Sequence, residues 1–194
     1  LYHRRRHPRT VIPDPAFFPK PNPHLTPRLV SPPEMARILA TARRLPASGG
    51  NPLRAQTVHL GLALLFCCGL RRGELLRLRL QDFDSRESVL RVEKTKFHKS
   101  RLVPLPASVA KVVHRYLARR GKRGLPMAPD SHLICSGGRP PPHDVYTAHG
   151  LTASWQHLCL SAAVLDLRGR PPRLHDLRHS MAVAALHRWY AAGR

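Results

Sequence analysis

The sequence predicts an α+β domain that is mostly helical and carries one small antiparallel sheet or hairpin. Three observations predict this class. Apolar segments with helix start and stop signals cover most of the chain. After Asp84 the pattern changes to two short strand-like runs joined by a polar turn. Finally, 194 residues, of which 42% are hydrophobic, are enough for one domain with a core and an extended arm.

The arm is predicted at residues 1–30. This segment is rich in proline, which fixes φ and has no backbone N–H, and it carries the basic cluster Arg4, Arg5 and Arg6. We therefore expect an extended basic linker that arrives from a domain outside this sequence. The folded domain is placed at residues 31–194.

Local signals define the first three helices. Ser31-Pro32-Pro33-Glu34 matches a capping box with proline in the first turn, which predicts a helix to about Arg44. After a loop, a strongly apolar helix is expected over about Arg54–Cys68, ended by Gly69. A short helix over Arg71–Arg77 follows.

The second half of the chain is predicted to hold two paired strands and then three helices. The strands, Val89–Val92 and Arg101–Leu105, are joined by the polar segment 93–100. A further short strand is expected over His132–Cys135. The helices are expected over Ala107–Arg120, over Thr147 to about Leu165, and over His175 to about Ala192.

The charge of the chain points to a polyanionic partner. There are 33 Lys and Arg residues against 11 Asp and Glu, giving a net charge of +22 and a pI of about 11.6. Arginine dominates, and its planar fork suits phosphate groups. Nucleic acid is the favoured partner, and the alternative is a ribosomal-type or compositionally biased basic protein.

The cysteines and the hydropathy of the chain indicate its cellular compartment. Two of the four cysteines are adjacent and no C-x-x-C pair occurs, which fits neither a zinc module nor a disulfide framework. A reducing cytoplasm is the expected location. The longest apolar run, Leu60–Leu70, is shorter than the roughly 20 residues that span a bilayer, and residues 1–10 lack the apolar core of a signal peptide. No membrane partner is expected.

The first cluster of chemically notable residues is residues 69–75, GLRRGEL. Arg71 stands near the start of a helix, where unpaired backbone N–H groups also favour an anion. Glu74 follows at i+3 and is placed to hold the Arg71 guanidinium. The alternative is a solvated helix start with an ordinary ion pair.

The second cluster is the polar hairpin, and the third is the start of the last helix. A basic ribbon tip can lie on a nucleic-acid backbone, or it can simply be an exposed, soluble turn. His175 and Arg178 share one face at a helix start, while the apolar side is expected to anchor the helix by its middle. His175 and His179 have zinc spacing, but no third ligand is evident, so a metal site is not expected. The apolar side consists of Leu177, Met181, Ala182, Ala185, Leu186 and Trp189.

Taken in this order, the three clusters resemble the catalytic domain of the tyrosine recombinase (phage integrase) family. GLRRGEL resembles its first-arginine motif. The run from Lys94-Thr95-Lys96 through residues 101–105, RLVPL, resembles its β-hairpin lysine segment, and residues 175–180, HDLRHS, its H-x-x-R box. The resemblance covers about residues 28–194, and residues 1–30 are similar to the linker from the family's N-terminal helical domain.

The resemblance implies cleavage and rejoining of double-stranded DNA by a tyrosine, without metal or cofactor. Arg71 and Arg178 would clamp the scissile phosphate, with Glu74 supporting Arg71. Lys96, with Lys94 in reserve, would protonate the leaving 5′ oxygen, and His175 would be an acid–base partner. A full-length protein would act as a tetramer on DNA, in integration or recombination of a mobile genetic element. The implied DNA contacts are Arg72, Lys94, His98, Lys99, Arg101 and His179.

This sequence departs from the family pattern at the nucleophile. In the family the tyrosine lies farther beyond the H-x-x-R arginine than this sequence extends. Tyr190 is 12 residues after Arg178, about 18 Å along a continuous helix and rotated by about 120°. Trp189 and Tyr190 are therefore interpreted as core or helix-end packing. We expect the chain alone to be inactive because its tyrosine-bearing segment is missing.

Two other function classes stay open. The charge and the missing nucleophile also suit a non-enzymatic DNA-binding protein, a remnant or regulator of a mobile element. An RNA-binding or ribosome-associated protein is a weaker alternative, since only 6% of residues are aromatic and no base-stacking motif is present.

Overall fold

The computed structural model describes residues 26–48, 50–93, 100–137 and 144–193. Six α-helices and one three-stranded antiparallel sheet lie in these ranges, which confirms the predicted α+β, mostly helical class. The predicted arm falls outside the described residues except for residues 26–30. The predicted hairpin tip, residues 94–99, also lies outside them.

Helix α1 (Pro32–Ala42) begins at the predicted capping box. Ser31 Oγ accepts a hydrogen bond from the Glu34 backbone N at 3.4 Å, and Glu34 Oε2 accepts one from the Ser31 backbone N at 2.8 Å. The helix ends before the predicted Arg44, because residues 43 and 44 already form a turn.

Helix α2 (Arg54–Cys68) is the central helix of the domain. Residues 57–65 are all buried, as expected for a helix that is apolar on every side. Gly69 ends it in the left-handed conformation, with φ +60°, where the sequence predicted a stop. The chain then enters the short helix α3 (Arg72–Arg77).

The sheet has the strand order β1-β2-β3 and lies between α3 and the next helix in sequence. The two predicted strands are present as β2 and β3, with Val92 opposite Arg101 at the end nearest the loop that joins them. Strand β1 was not predicted, because two residues are too few to show alternation. The strands are β1 (Phe83–Asp84), β2 (Val89–Val92) and β3 (Arg101–Pro104).

The three later helices are α4 (Ala107–Lys122), α5 (Ala148–Ser161) and α6 (Asp176–Ala191). Helix α5 is shorter than predicted, because the chain turns with Ala163 at φ +50°. Helix α2 packs against α1, α4 and α6, and α1 also packs against α5. Of the helices in the described ranges, none has the length and apolar character needed to cross a bilayer.

The predicted strand His132–Cys135 is wrong. Its two ends pair with different segments, His132 with Arg79 and Cys135 with Val145, so no continuous ladder forms. The bridge between His132 and Arg79 still fixes this segment beside the residues that follow α3, and the Leu133 backbone N donates to the Leu78 carbonyl at 2.7 Å.

The predicted anchoring of α6 by its middle is also wrong. Its buried residues are Asp176, Leu177 and Ser180, all within the first turns. Leu186, Trp189 and Tyr190 are 48%, 61% and 79% exposed, so the interpretation of Trp189 and Tyr190 as core residues does not hold. The rest of the domain covers α6 only near its start. This contact fixes the end of the helix that carries Arg178.

Candidate functional site

The turn between α2 and α3 places Arg71 and Glu74 side by side. The left-handed Gly69 redirects the chain, so that Arg71 becomes the residue before the first turn of α3. Glu74 Oε2 accepts from the Arg71 backbone N, and Oε1 accepts from Arg71 Nη1, both at 2.9 Å. The Glu74 side chain is only 2% exposed, whereas that of Arg71 is 37% exposed. Glu74 therefore fixes the arginine while leaving part of its guanidinium open.

Arg101, the first residue of β3, makes a second ion pair with Glu74. Its Nη2 donates to Oε2 at 2.7 Å and its Nη1 to Oε1 at 3.2 Å. The sequence prediction gave Arg101 a DNA contact and did not foresee this pairing. One buried carboxylate thus joins the turn after α2 to the strand that leaves the hairpin.

We expect the free energy of unfolding of the domain to fall at acid pH, as Glu74 becomes protonated. Burial by itself would raise the pKa of Glu74, but hydrogen bonds from Arg101 and Arg71 outweigh it and lower the pKa to about 2. A carboxyl whose pKa is lower in the folded chain stabilises the fold above its unfolded pKa of about 4.5, and this contribution is lost as the pH falls toward about 2.

Urea unfolding of Glu74→Gln and the unchanged chain, between about pH 7 and about pH 2.5, checks this dependence. At neutral pH the variant is expected to be less stable by about 2 kcal/mol, a value below that of a fully buried pair because both arginines are partly solvated. The difference should shrink toward pH 2.5. Glu87→Gln, at an exposed turn residue, is the control. A difference that stays constant over this range would contradict the assignment.

Arg178 reaches the same turn from the first turn of α6. Its Nη1 donates to the carbonyl oxygen of Gly69. Burial lowers the pKa of Arg178, the charge of Arg71 lowers it further, Glu74 raises it and Arg101 lowers it. The side chains of Arg71, Glu74, Arg101 and Arg178 therefore form one electrostatic cluster, although they come from three separate segments. We call these four residues the arginine cluster.

His175 lies beside the arginine cluster at the start of α6. Burial lowers its pKa, the neighbouring His179 and Arg178 lower it further, Asp176 raises it and Arg173 lowers it. The His175 and His179 rings meet edge to face, with centroids 5.1 Å apart. In the described ranges no group of three or more His, Cys, Asp or Glu side chains is arranged to hold a metal ion.

Two side chains that the sequence reasoning missed hold the loop before His175. Trp155 of α5, buried, donates from Nε1 to the Pro172 carbonyl at 2.6 Å. Asp176, also buried, accepts from the Arg173 backbone N and from Arg173 Nη2, both at 2.9 Å. The signal available in the sequence was the tryptophan itself, because a buried indole N–H needs an acceptor.

Arg72 points away from the arginine cluster toward α5. Its Nη1 donates to Thr152 Oγ1 at 3.1 Å. A cleft of about 440 Å³ runs between α3, α5 and residues 171–175, and both Arg72 and His175 line it. The predicted site residues Lys94, Lys96, His98 and Lys99 lie outside the described residues.

The tyrosines in the described ranges stand away from the arginine cluster. Tyr116 is buried and donates to Cys135 Sγ at 3.5 Å, and Tyr146 shares a hydrogen bond with Ser154 at 3.1 Å. Tyr190 is in the last turn of the unbroken helix α6, about 18 Å along the axis from Arg178. Tyr2 lies outside the described residues.

The arginine cluster is suited to bind a phosphate group. Guanidinium groups bind phosphate oxygens through short, charge-assisted and often paired hydrogen bonds. Two guanidinium groups at one position also repel each other, and an anion that enters between them replaces this repulsion with attraction.

Comparison with known proteins finds relatives of this chain in sequence and in fold. The model of the Phage integrase family matches residues 28–188. The chain is 36% identical over 195 residues to the putative integrase/recombinase y4rB of Sinorhizobium fredii, which covers 98% of this chain and 60% of that protein.

Solved structures share this fold, and two of them illustrate it. The XerH site-specific recombinase bound to its difH substrate has a TM-score of 0.64 at 21% identity, over 84% of this chain and 44% of that one. The Tn1549 transposon integrase in complex with a circular intermediate DNA has a TM-score of 0.62 at 17% identity, over 89% and 56%. This chain spans about half the length of these relatives.

Proposed function

The chain belongs to the phage integrase family, and we propose that it is the DNA-cutting and rejoining domain of a tyrosine site-specific recombinase. The observation that carries the proposal is the meeting of Arg71 and Arg178 at one turn, around the buried Glu74. A phosphate held there would have two guanidinium groups on its non-bridging oxygens. Such preorganised donors act on charge that grows in the transition state, and each is typically worth about 3 kcal/mol.

We assign the remaining roles from the family pattern. Lys96, or Lys94 in its place, protonates the leaving 5′ oxygen, and His175 is the acid–base partner of the phosphate. The arginine cluster supports the lysine role because Arg101, on Glu74, fixes one end of the segment that carries Lys96. The residues proposed to contact DNA outside the reacting phosphate are Arg72, Lys94, His98, Lys99, Arg101 and His179.

We propose that this chain alone does not form a covalent bond to DNA. The support is the position of the tyrosines in the described ranges, because Tyr116 and Tyr146 are buried in the core and Tyr190 is at the far end of α6. Nucleophilic attack needs the reacting atoms about 3–3.5 Å apart. The chain then binds DNA without cutting it, and acts in recombination only with a tyrosine from another segment or chain.

Selection from a pool of random duplexes, followed by a suicide substrate of the enriched sequence, tests both proposals. We expect an enriched site, binding that weakens steeply with salt because each neutralised phosphate releases counterions, and no covalent adduct. Preference for RNA over duplex DNA, or a flat salt dependence, would contradict the recombinase assignment. An adduct that Tyr190→Phe abolishes would overturn the claim of inactivity and leave the assignment standing.

A second function, non-enzymatic DNA binding by a remnant or regulator of a mobile element, is favoured by the same placement of the tyrosines. The role of the arginine cluster distinguishes the recombinase function from the regulator function. A regulator needs the general basic surface but no particular phosphate, whereas a recombinase domain needs one phosphate at Arg71 and Arg178. We also propose a cytoplasmic location, and a tetramer on DNA as the assembly of the full-length protein.

A further inference from the structure

A basic cleft of about 310 Å³ opens between α2 and α4, toward the opposite end of α2 from Gly69. His59, on its wall, is 10 residues before Gly69, about 15 Å along the helix. The cleft is therefore separate from the arginine cluster. Its charged and polar lining is Arg43, Gln56, His59, Arg115 and Arg119, and its apolar lining is Ala55, Val112 and Tyr116.

The three arginines of the cleft have no acidic partner in the described ranges. Arg43 Nε donates to His59 Nε2 at 3.2 Å. With the Gln56 amide turned so that both its groups are satisfied, its oxygen accepts from Arg119 Nη1 at 3.2 Å. The ion pairs of the described carboxylates are made with other residues. Three cations thus surround one cavity without compensation.

The charges of Arg43 and Arg115 both act on His59, which lies on the wall of the cleft. The residue is only 8% exposed. Burial, together with the charges of Arg43 and Arg115, lowers the pKa of His59 to about 4. The imidazole is therefore neutral at physiological pH and accepts the hydrogen bond from Arg43. Arg115, Arg119 and Tyr116 face it from α4, and Arg43 faces it from the end of α1.

We propose that this cleft binds a phosphate group. Guanidinium groups match phosphate oxygens in geometry and charge, and a cavity of this volume is at the lower end of the range of small-ligand sites, roughly 300–1,000 Å³. The phosphate comes either from a free phosphorylated small molecule or from the DNA backbone. The proposal does not depend on recombinase activity.

The test uses two double variants of the whole chain that lose the same charge. Arg115→Gln with Arg119→Gln removes two cations from the cleft. Arg37→Gln with Arg91→Gln removes two exposed cations elsewhere and is the control. Circular dichroism confirms that both are folded. Calorimetry then measures binding of inorganic phosphate, ADP and a short duplex, at constant ionic strength set with chloride, while NMR follows the titration of the His59 imidazole.

We expect the cleft variant to bind at least one probe about tenfold more weakly than the control variant, which is about 1.4 kcal/mol. In the unchanged chain, that probe should raise the pKa of His59. Loss confined to phosphate or ADP identifies a free ligand, and loss confined to duplex DNA identifies the DNA backbone. Equal affinities of the two variants for all three probes, or a His59 titration that no probe moves, would overturn the proposal.

Discussion

Replacing Arg120 with methionine is expected to lower the free energy of unfolding by about 3–5 kcal/mol. Arg120, on α4, is fully buried. Its Nε donates to the Pro126 carbonyl at 2.7 Å and its Nη1 to the His132 carbonyl at 2.6 Å. Methionine fills a similar space but donates nothing, so the buried His132 carbonyl and the partly buried Pro126 carbonyl lose this partner.

The charge of Arg120 adds to the expected loss. Its Nη2 is 3.9 Å from the buried carboxylate of Asp144, which also accepts from the His132 backbone N at 2.8 Å and from His132 Nδ1 at 2.6 Å. Without Arg120 the carboxylate keeps its histidine but loses its cation. The network fixes the segment that pairs with the residues after α3, so its loss also loosens the support of the arginine cluster.

Urea unfolding of Arg120→Met, Asp144→Asn and the double variant measures this effect. Lys111→Met, exposed on the same helix, should change stability by less than about 0.5 kcal/mol. Because the two groups share one network, the double variant should lose less than the sum of the single losses. Strict additivity, or an Arg120→Met loss no larger than that of Lys111→Met, would show that the network contributes little.

Local chemistry explains why most of the helices could be predicted. The Ser31–Glu34 capping box and the left-handed Gly69 act within a few residues, so the sequence shows them directly. The end of α6 could not be predicted in the same way. Its apolar periodicity is real, but whether Trp189 is covered depends on what packs against it, and periodicity carries no information on that.

The pairing of Arg101 with Glu74 shows the same limit at the candidate site. The Arg71–Glu74 contact follows from i,i+3 spacing, whereas Arg101 is 27 residues away and meets Glu74 only through the position of the sheet. Any of the chain's many arginines would have looked equally suitable. Likewise, the approach of Arg178 to Arg71 was expected from the resemblance to a family and not from the spacing of the residues.

Replacing Arg178 with glutamine is expected to weaken binding of the enriched duplex by about 1.5–3 kcal/mol, or roughly ten- to a hundredfold. Arg178 is half-buried, holds the Gly69 carbonyl with one nitrogen and is repelled by Arg71. A phosphate between the two arginines replaces this repulsion with attraction. The loss should therefore belong to one phosphate and not be spread over the whole duplex.

Duplexes in which single phosphates are replaced by uncharged methylphosphonates locate that phosphate. The unchanged chain should lose affinity strongly at one position, and Arg178→Gln should be insensitive there, which is the signature of a direct interaction in a double-mutant cycle. Arg188→Gln removes a charge from the exposed end of the same helix and should weaken binding by about twofold at most, at no particular position. If Arg178→Gln behaves like Arg188→Gln, Arg178 acts only as one more positive charge on the surface. The convergence of the two arginines would then serve the fold, and the recombinase site would have to be sought elsewhere on the domain.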